Sequence, residues 1–465
     1  MIKKKNTTKI LLLVILCFFT AIFLHNAWFY PSLRGYDGGI HSTYTKIITF
    51  EKRIPTPKDT PESYNPPGFY LLSGKLAQLF TPVFNNDFFQ ALKSWQILIA
   101  LLMPVVGYLW FDIYRTLNKK NKYFPLFFLF WLLSLPLVNK MAPMYNIEAP
   151  QLVISSFIIW FFIKFVLPKP TVSKIILLGL LGGIMLLFRI MAGTLLLSLG
   201  LTIILLFWFH KISFKKMIIL NLVLTVVSLA IGGQYYYIYR NQGVFDSGEN
   251  VQDLYQTPFL KRQPKSFYVD TFFRTKLWTT PIRPNFVNRF IPIFYSSFWG
   301  DYWNFYRQRR YPLSPEEEAK FKETAIPTAP NRYQISKERL TMLAWQNRVN
   351  LIPTLILITG MILSIRETVK KIKKRKLLNL QQFSEVFLSL FFVITFLAYF
   401  YTVIQFPNIY KGDNIKASYV LYATPVLIYF ASQLMQTLRY KKFIFFPLMI
   451  FIVISFIFNL NFDLF

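Results

Sequence analysis

About eleven apolar stretches of spanning length leave this chain few ways to fold except across a bilayer, since roughly 20 consecutive apolar residues cover the hydrocarbon core. They fall at about 10–30, 94–114, 123–139, 150–167, 174–189, 192–209, 216–238, 350–366, 384–404, 417–436 and 443–460. A composition that is 54% hydrophobic agrees, because soluble domains of this length are rarely so apolar. The formal net charge of +31 would suggest nucleic acid in a soluble protein. Here the basic residues collect in short loops, at Arg115/Lys119/Lys120/Lys122, Lys164/Lys169/Lys174, Lys211/Lys215/Lys216, Arg439/Lys441/Lys442 and the run from Lys370 to Lys376. The alternate short loops hold far fewer, chiefly Lys140, Arg189, Lys411 and Lys416. That asymmetry is the positive-inside pattern, and it predicts a cytoplasmic N-terminus and no nucleic-acid partner. The basic start Met1-Ile2-Lys3-Lys4-Lys5 imitates a signal peptide, but no small-x-small cleavage site follows. The reading is an uncleaved first helix in a plasma membrane.

Two long loops fall on the outer side in this topology, at about 31–93 and 239–349. The chain therefore divides into an N-terminal membrane module (1–238), a large extracytoplasmic loop (239–349) and C-terminal membrane helices (350–465). Within the first loop, Phe69, Leu72, Leu76, Leu79 and Phe80 recur at helical spacing, which predicts an amphipathic helix lying on the membrane surface. The fold class is thus all-α and polytopic. Cys17 is the one cysteine, which excludes an intrachain disulfide, and the three histidines show no metal-ligand spacing. No cofactor is predicted, although nothing in this pattern forbids a divalent cation.

Polar residues that invite chemistry gather at the outer helix ends. Asp37-Gly38-Gly39-Ile40-His41-Ser42-Thr43-Tyr44 can start a helix, which places Asp37, His41 and Tyr44 on one face. A carboxylate there can act as general base, with the imidazole and phenol hydrogen-bonding a phosphate or sugar. Asp is equally a favoured helix cap, and that bland role accounts for Asp37 about as well. Asn146 and Glu148 stand at the outer mouth of the fourth helix, where they face the same water or merely complement a helix N-terminus. Arg240, Lys411 and Lys416 are cationic candidates for a phosphate, and Arg189 is a charge deep in an apolar stretch. Each of these cations is also explained by snorkelling to the interface.

Taken in order along the chain, these elements resemble the polytopic GT-C glycosyltransferases that take sugar from a polyprenyl-phosphate carrier. The nearest branch is the bacterial one related to protein O-mannosyltransferases and lipid A aminoarabinose transferases. The resemblance is carried by Asp37 after the first helix, the corner Pro66-Pro67-Gly68-Phe69-Tyr70, and Asn146-Ile147-Glu148 before the fourth helix. Arg240-Asn241, Ser297-Phe298-Trp299-Gly300 and Lys416-Ala417-Ser418-Tyr419 continue it. Two positions depart from it: Gly38 stands where many relatives have Glu, and Asn65 where the aminoarabinose branch has a lysine.

The resemblance implies a GT-C-like fold and a membrane glycosyltransferase of the cell envelope. It implies that Asp37 takes the proton of an acceptor hydroxyl while the polyprenyl phosphate leaves, with inversion, on the extracytoplasmic face. The implied partners are a polyprenyl-phosphate sugar, membrane lipids and an acceptor that is lipid, glycan or protein. Two other classes compete. A lipid-linked oligosaccharide polymerase or ligase shares the helices and large loop but does not need an early acidic motif. A lipid-linked sugar flippase or transporter shows repeated halves and midplane polar groups, neither of which the sequence offers.

Overall fold

The computed structural model describes residues 2–118, 123–236, 257–269, 275–283, 285–306, 325–327, 334–373, 378–408, 412–438 and 441–460. Its helices follow the apolar stretches. Seven described helical spans are long and apolar enough to cross a membrane: Thr7–Phe29, Phe88–Leu117, Glu148–Val166, Ile190–Trp208, Phe214–Tyr236, Lys337–Lys373 and Leu380–Gln405. Shorter apolar helices occupy Phe124–Ser134, Val172–Phe188, Phe290–Trp299 and Phe443–Asn459. The protein is an all-α polytopic membrane protein.

Three of the eleven expected segments differ in detail, each for a local reason. The third breaks at Leu135, which is extended because Pro136 follows it, and a separate helix Pro136–Met141 continues beyond. The tenth opens as a tight 3-10 turn, Ala417–Ala423, before its α-helix Thr424–Thr437. The eighth starts earlier than expected, since Lys337–Val349 runs almost end to end into Leu351–Lys373. The segment read as a loop also contains the apolar helix Phe290–Trp299. A two-stranded antiparallel hairpin, Ala325–Pro327 with Gln334–Ser336, adds the described strands, which the sequence reading lacked.

Helix Gly68–Phe80 forms where the amphipathic helix was expected, with a different inward face. Phe69 turns inward with Ser73, Gly74 and Ala77, while Leu72 and Leu79 remain 53% and 72% exposed. The small residues allow close seating: a Cβ on Gly74 would meet Thr49 Oγ1 at 2.1 Å. Small residues inward and leucines outward is the arrangement of a helix seated on protein with its apolar side toward lipid.

Helix ends sort into two sets. At one end Asn118, Tyr429 and Gln433 meet Lys371 and Glu385 through direct hydrogen bonds. At the other end, the loop after the first helix, the Pro66-Pro67 corner, the start of helix Glu148–Phe161, the break at Arg189 and the turn at Lys416 converge. That second end carries the candidate chemistry.

Candidate active site

The first helix ends at Phe29, and the chain turns back at Asp37, which has φ of +59°. A non-glycine residue in the left-handed region is uncommon, and Asp is one of the residues that tolerates it. Asp37 occupies the cap position of helix Gly38–Lys46, yet its side chain makes no capping hydrogen bond. The carboxylate turns away from the helix instead, and Oδ2 accepts from Lys416 Nζ at 2.6 Å, across 379 residues of sequence. Capping therefore does not explain this carboxylate. Its side chain stays 32% exposed, so it remains within reach of solvent and solutes. Burial pulls the Asp37 pKa up, but Lys416, then His41 and Arg189, outweigh it and hold the acid below its usual range.

Lys416 is buried between rings, with Nζ 5.6 Å from the centre of Tyr36 and 5.8 Å from that of Tyr419. Burial works against its charge, but Tyr419 and Asp37 push its pKa well above the ordinary lysine value. Tyr419 carries a second cation: Arg189 Cζ lies 4.3 Å from the ring centre. Arg189 in turn donates to the Glu148 carboxylate, with the two side chains only 17% and 7% exposed. The result is a row of charge, Asp37–Lys416–Tyr419–Arg189–Glu148, with one phenol between two cations.

The chain breaks at the right places to build this row. Helix Val172–Phe188 stops at Arg189, which is extended, so the guanidinium leaves the helix barrel. Gly68 packs against that stop: a Cβ there would sit 2.7 Å from the Leu187 carbonyl oxygen, so only glycine lets the Pro66-Pro67 corner approach Arg189. The corner is tied by Asn65, whose carbonyl accepts from Tyr44 at 3.1 Å and Tyr235 at 2.8 Å, and whose amide donates to Glu62. Helix Phe290–Trp299 abuts the Lys416 turn, where Ala417 N–H donates to Ser297 Oγ at 3.1 Å. Lys140 braces the end of that helix, donating to the carbonyls of Ser297 and Gly300.

The expected residues separate into those facing the row and those holding it. Asp37, Lys416 and Glu148 belong to the row, and His41 stands beside Asp37 with Nδ1 2.9 Å from Tyr70 Oη. Tyr44 is fully buried, stacked on Tyr70 at 3.6 Å between ring centres, so it packs the corner. Asn146 is consumed by local backbone: its Oδ1 accepts from Ala149 N–H, and its amide donates to the Met141 and Met144 carbonyls, all at 2.8 Å. Arg240 and Lys411 lie outside the described residues. Tyr36, Glu62 and Tyr64 border the row without having been singled out, and Tyr419, read only as part of a motif, lies within it. Arg189 had a usable signal, a charge interrupting two apolar helices. Among the described residues no group of three His, Cys, Asp or Glu side chains converges to hold a metal ion.

No family model and no curated protein matches the chain. Among solved structures it is similar to ArnT from Cupriavidus metallidurans bound to undecaprenyl phosphate, at 14% identity and a TM-score of 0.39, over 87% of this chain and 77% of that one. A likeness that loose carries no inference about chemistry, which rests on the side chains.

Proposed function

We propose that the protein is a GT-C-type glycosyltransferase that moves a sugar from a polyprenyl-phosphate donor to an acceptor hydroxyl, with Asp37 as general base. One observation carries this reading: a carboxylate at a helix cap position leaves the cap, stays partly exposed and faces a buried lysine from the far end of the chain. An ionised Asp37 is ready to accept the proton of an acceptor hydroxyl as that oxygen attacks the anomeric carbon. The bond from that carbon to the phosphate oxygen breaks, and the electron pair leaves with the polyprenyl phosphate. Lys416 and Arg189, on either side of Tyr419, form a cationic ledge for the leaving phosphate. Charge that grows on that oxygen strengthens its pairing with both cations in the transition state, which is the condition for catalysis rather than mere binding.

The carrier's tail would remain in lipid while its head enters beside the Pro66-Pro67 corner. On this reading the active end is extracytoplasmic, in a plasma membrane, as the loop charges imply. Tyr44 and Asn146 serve the shape of the site, and Glu148 holds Arg189 in place.

The test is release of carrier phosphate from a panel of polyprenyl-phosphate sugars by purified protein. Asp37→Asn should lower turnover by about 10²- to 10⁴-fold, the usual contribution of a positioned general base, measured below the variant's own unfolding temperature because Lys416 loses its partner. Full activity in Asp37→Asn would move the assignment to a polymerase or ligase. Labelled sugar crossing sealed vesicles with no new covalent product would move it to a transporter.

A further inference from the structure

The chain entering the Pro66-Pro67 corner brings two side chains to the charged row that general-base chemistry leaves without a task, Glu62 and Tyr64. Tyr64 is 40% exposed, yet the surrounding protein and then Glu62 push its phenol well above the ordinary tyrosine value. A ring that is open to solvent and still desolvated faces a recess rather than a convex surface. Tyr419, Arg189 and Lys416 also act on that phenol, so the recess is the one beside the row.

The backbone holds both side chains still. Asn65 N–H donates to the Glu62 carbonyl at 3.0 Å, which closes a four-residue turn around Ser63 and Tyr64. Tyr235 Oη ties that turn to a membrane helix, reaching the Asn65 and Ser63 carbonyls at 2.8 and 3.3 Å. The Asn65 side-chain amide donates to Glu62 Oε2 and fixes the carboxylate. A carboxylate offers about four lone-pair positions, and one amide fills a single one. An aromatic face beside a fixed acceptor suits a sugar, whose C–H face is apolar and whose hydroxyls donate to carboxylates. Position agrees with chemistry. The anomeric carbon is one bond from a phosphate oxygen, so a phosphate on Lys416 and Arg189 leaves its sugar beside that ledge. The corner abuts the ledge through the close approach of Gly68 to Leu187.

We infer that Tyr64 and Glu62 form the donor-sugar subsite, in which the sugar ring stacks on Tyr64 and its hydroxyls donate to Glu62. The inference rests on Lys416 and Arg189 as the phosphate ledge. It names the donor class as a fully hydroxylated sugar rather than a deoxy sugar, because a site built to accept from a hydroxyl discriminates against a donor that lacks it.

The test gives the purified full-length protein polyprenyl-phosphate glucose, galactose and mannose, then the monodeoxy analogues of the best donor. Release of carrier phosphate is measured as kcat and KM. In wild type at least one monodeoxy donor should lose about 10- to 100-fold in kcat/KM, the range for hydrogen bonds to a charged acceptor. Glu62→Gln still accepts from Asn65, so the turn survives, and the gap between parent and deoxy donor should shrink to about threefold, the scale of a neutral hydrogen bond. A damaged corner would instead slow every donor alike and leave the gap unchanged, which overturns the role of Glu62. Tyr64→Phe should behave as wild type. Tyr64→Ala should raise KM by about tenfold with kcat held, as for contacts made equally in the ground and transition states. Equal losses in Tyr64→Phe and Tyr64→Ala would overturn the stack. A wild type indifferent to every deoxy change would overturn the subsite and leave glycosyl transfer standing. Release from no donor at all would overturn the transfer reading and the subsite with it.

Discussion

The two ends of the bundle both bury charge among helices, and they neutralise it differently. At the Asp37 end the Asp37 and Glu148 carboxylates each pair with one cation, and those cations rest on aromatic rings: Lys416 between Tyr36 and Tyr419, and Arg189 on Tyr419. At the far end Glu385 is surrounded by Lys371, Gln381 and Gln433, a ring of neutral donors with a single charge among them. A carboxylate solvated by amides is a settled structure, because losing one donor leaves the others in place. A carboxylate held by one lysine is poised, because any anion that draws the lysine away sets it free. The difference teaches where to look for chemistry: the exposed, singly paired carboxylate rather than the best-satisfied one.

The largest effect that tests this contrast is on Arg189. Arg189→Met leaves Glu148 buried and unpaired, and removing one partner of a buried pair costs about 3–5 kcal/mol. Thermal or denaturant unfolding should register that loss. The double variant Arg189→Met with Glu148→Met should recover most of the stability, since a matched apolar pair avoids the desolvation of two charges. It should not recover sugar transfer if the guanidinium serves the leaving phosphate. Recovery of activity together with stability would reduce Arg189 to a structural strut.

A smaller effect is expected at the far end. Glu385→Gln removes the charge but keeps a side chain that the surrounding amides can pair with, so the loss should be about 1 kcal/mol, the net worth of an ordinary hydrogen bond. Sugar release should be unaffected. A cost as large as that of Arg189→Met would mean that the two ends are built alike, and the contrast would fail.

Much of this fold is legible in the sequence because lipid imposes one simple rule on every spanning segment. Apolar runs become helices wherever they are long enough, and the basic short loops mark which ends belong together. Local breaks were readable in principle: Pro136 dictates the extended Leu135, and the charge at Arg189 marks an interruption. The site was legible only as a set of candidates. Asp37 as a cap and Asp37 as a base predict the same residue after the same helix, and they part only over where the carboxylate points. Its partner lies 379 residues away, and local pattern holds no trace of that pairing. The same limit hid Glu148 with Arg189. Phe69 shows the limit at short range, since its spacing groups it with Leu72 and Leu79, but the tight seat at Gly74 turns it inward.

The finest test of the contrast is the pH dependence of Asp37. The native pair lowers its pKa, so the pairing favours the folded state at any pH above the unfolded aspartate value of about 3.9 and is lost as pH falls through the depressed native value. Lys416→Gln removes the largest influence that lowers the pKa and leaves burial, which raises it. The acid limb of kcat/KM should therefore move to higher pH in Lys416→Gln, whatever activity remains, because that limb reports the free enzyme's base. The linkage weakens for the same reason, so the variant should lose less stability than wild type as pH falls through and below the unfolded aspartate range near about 4. Lys416→Arg keeps a cation beside Asp37 and should hold the limb near its wild-type position. An unshifted limb in Lys416→Gln would mean that Asp37 is not the group whose ionisation governs turnover. A limb that shifts equally in Lys416→Arg would mean that packing around Tyr36 and Tyr419, rather than charge, sets the state of the carboxylate.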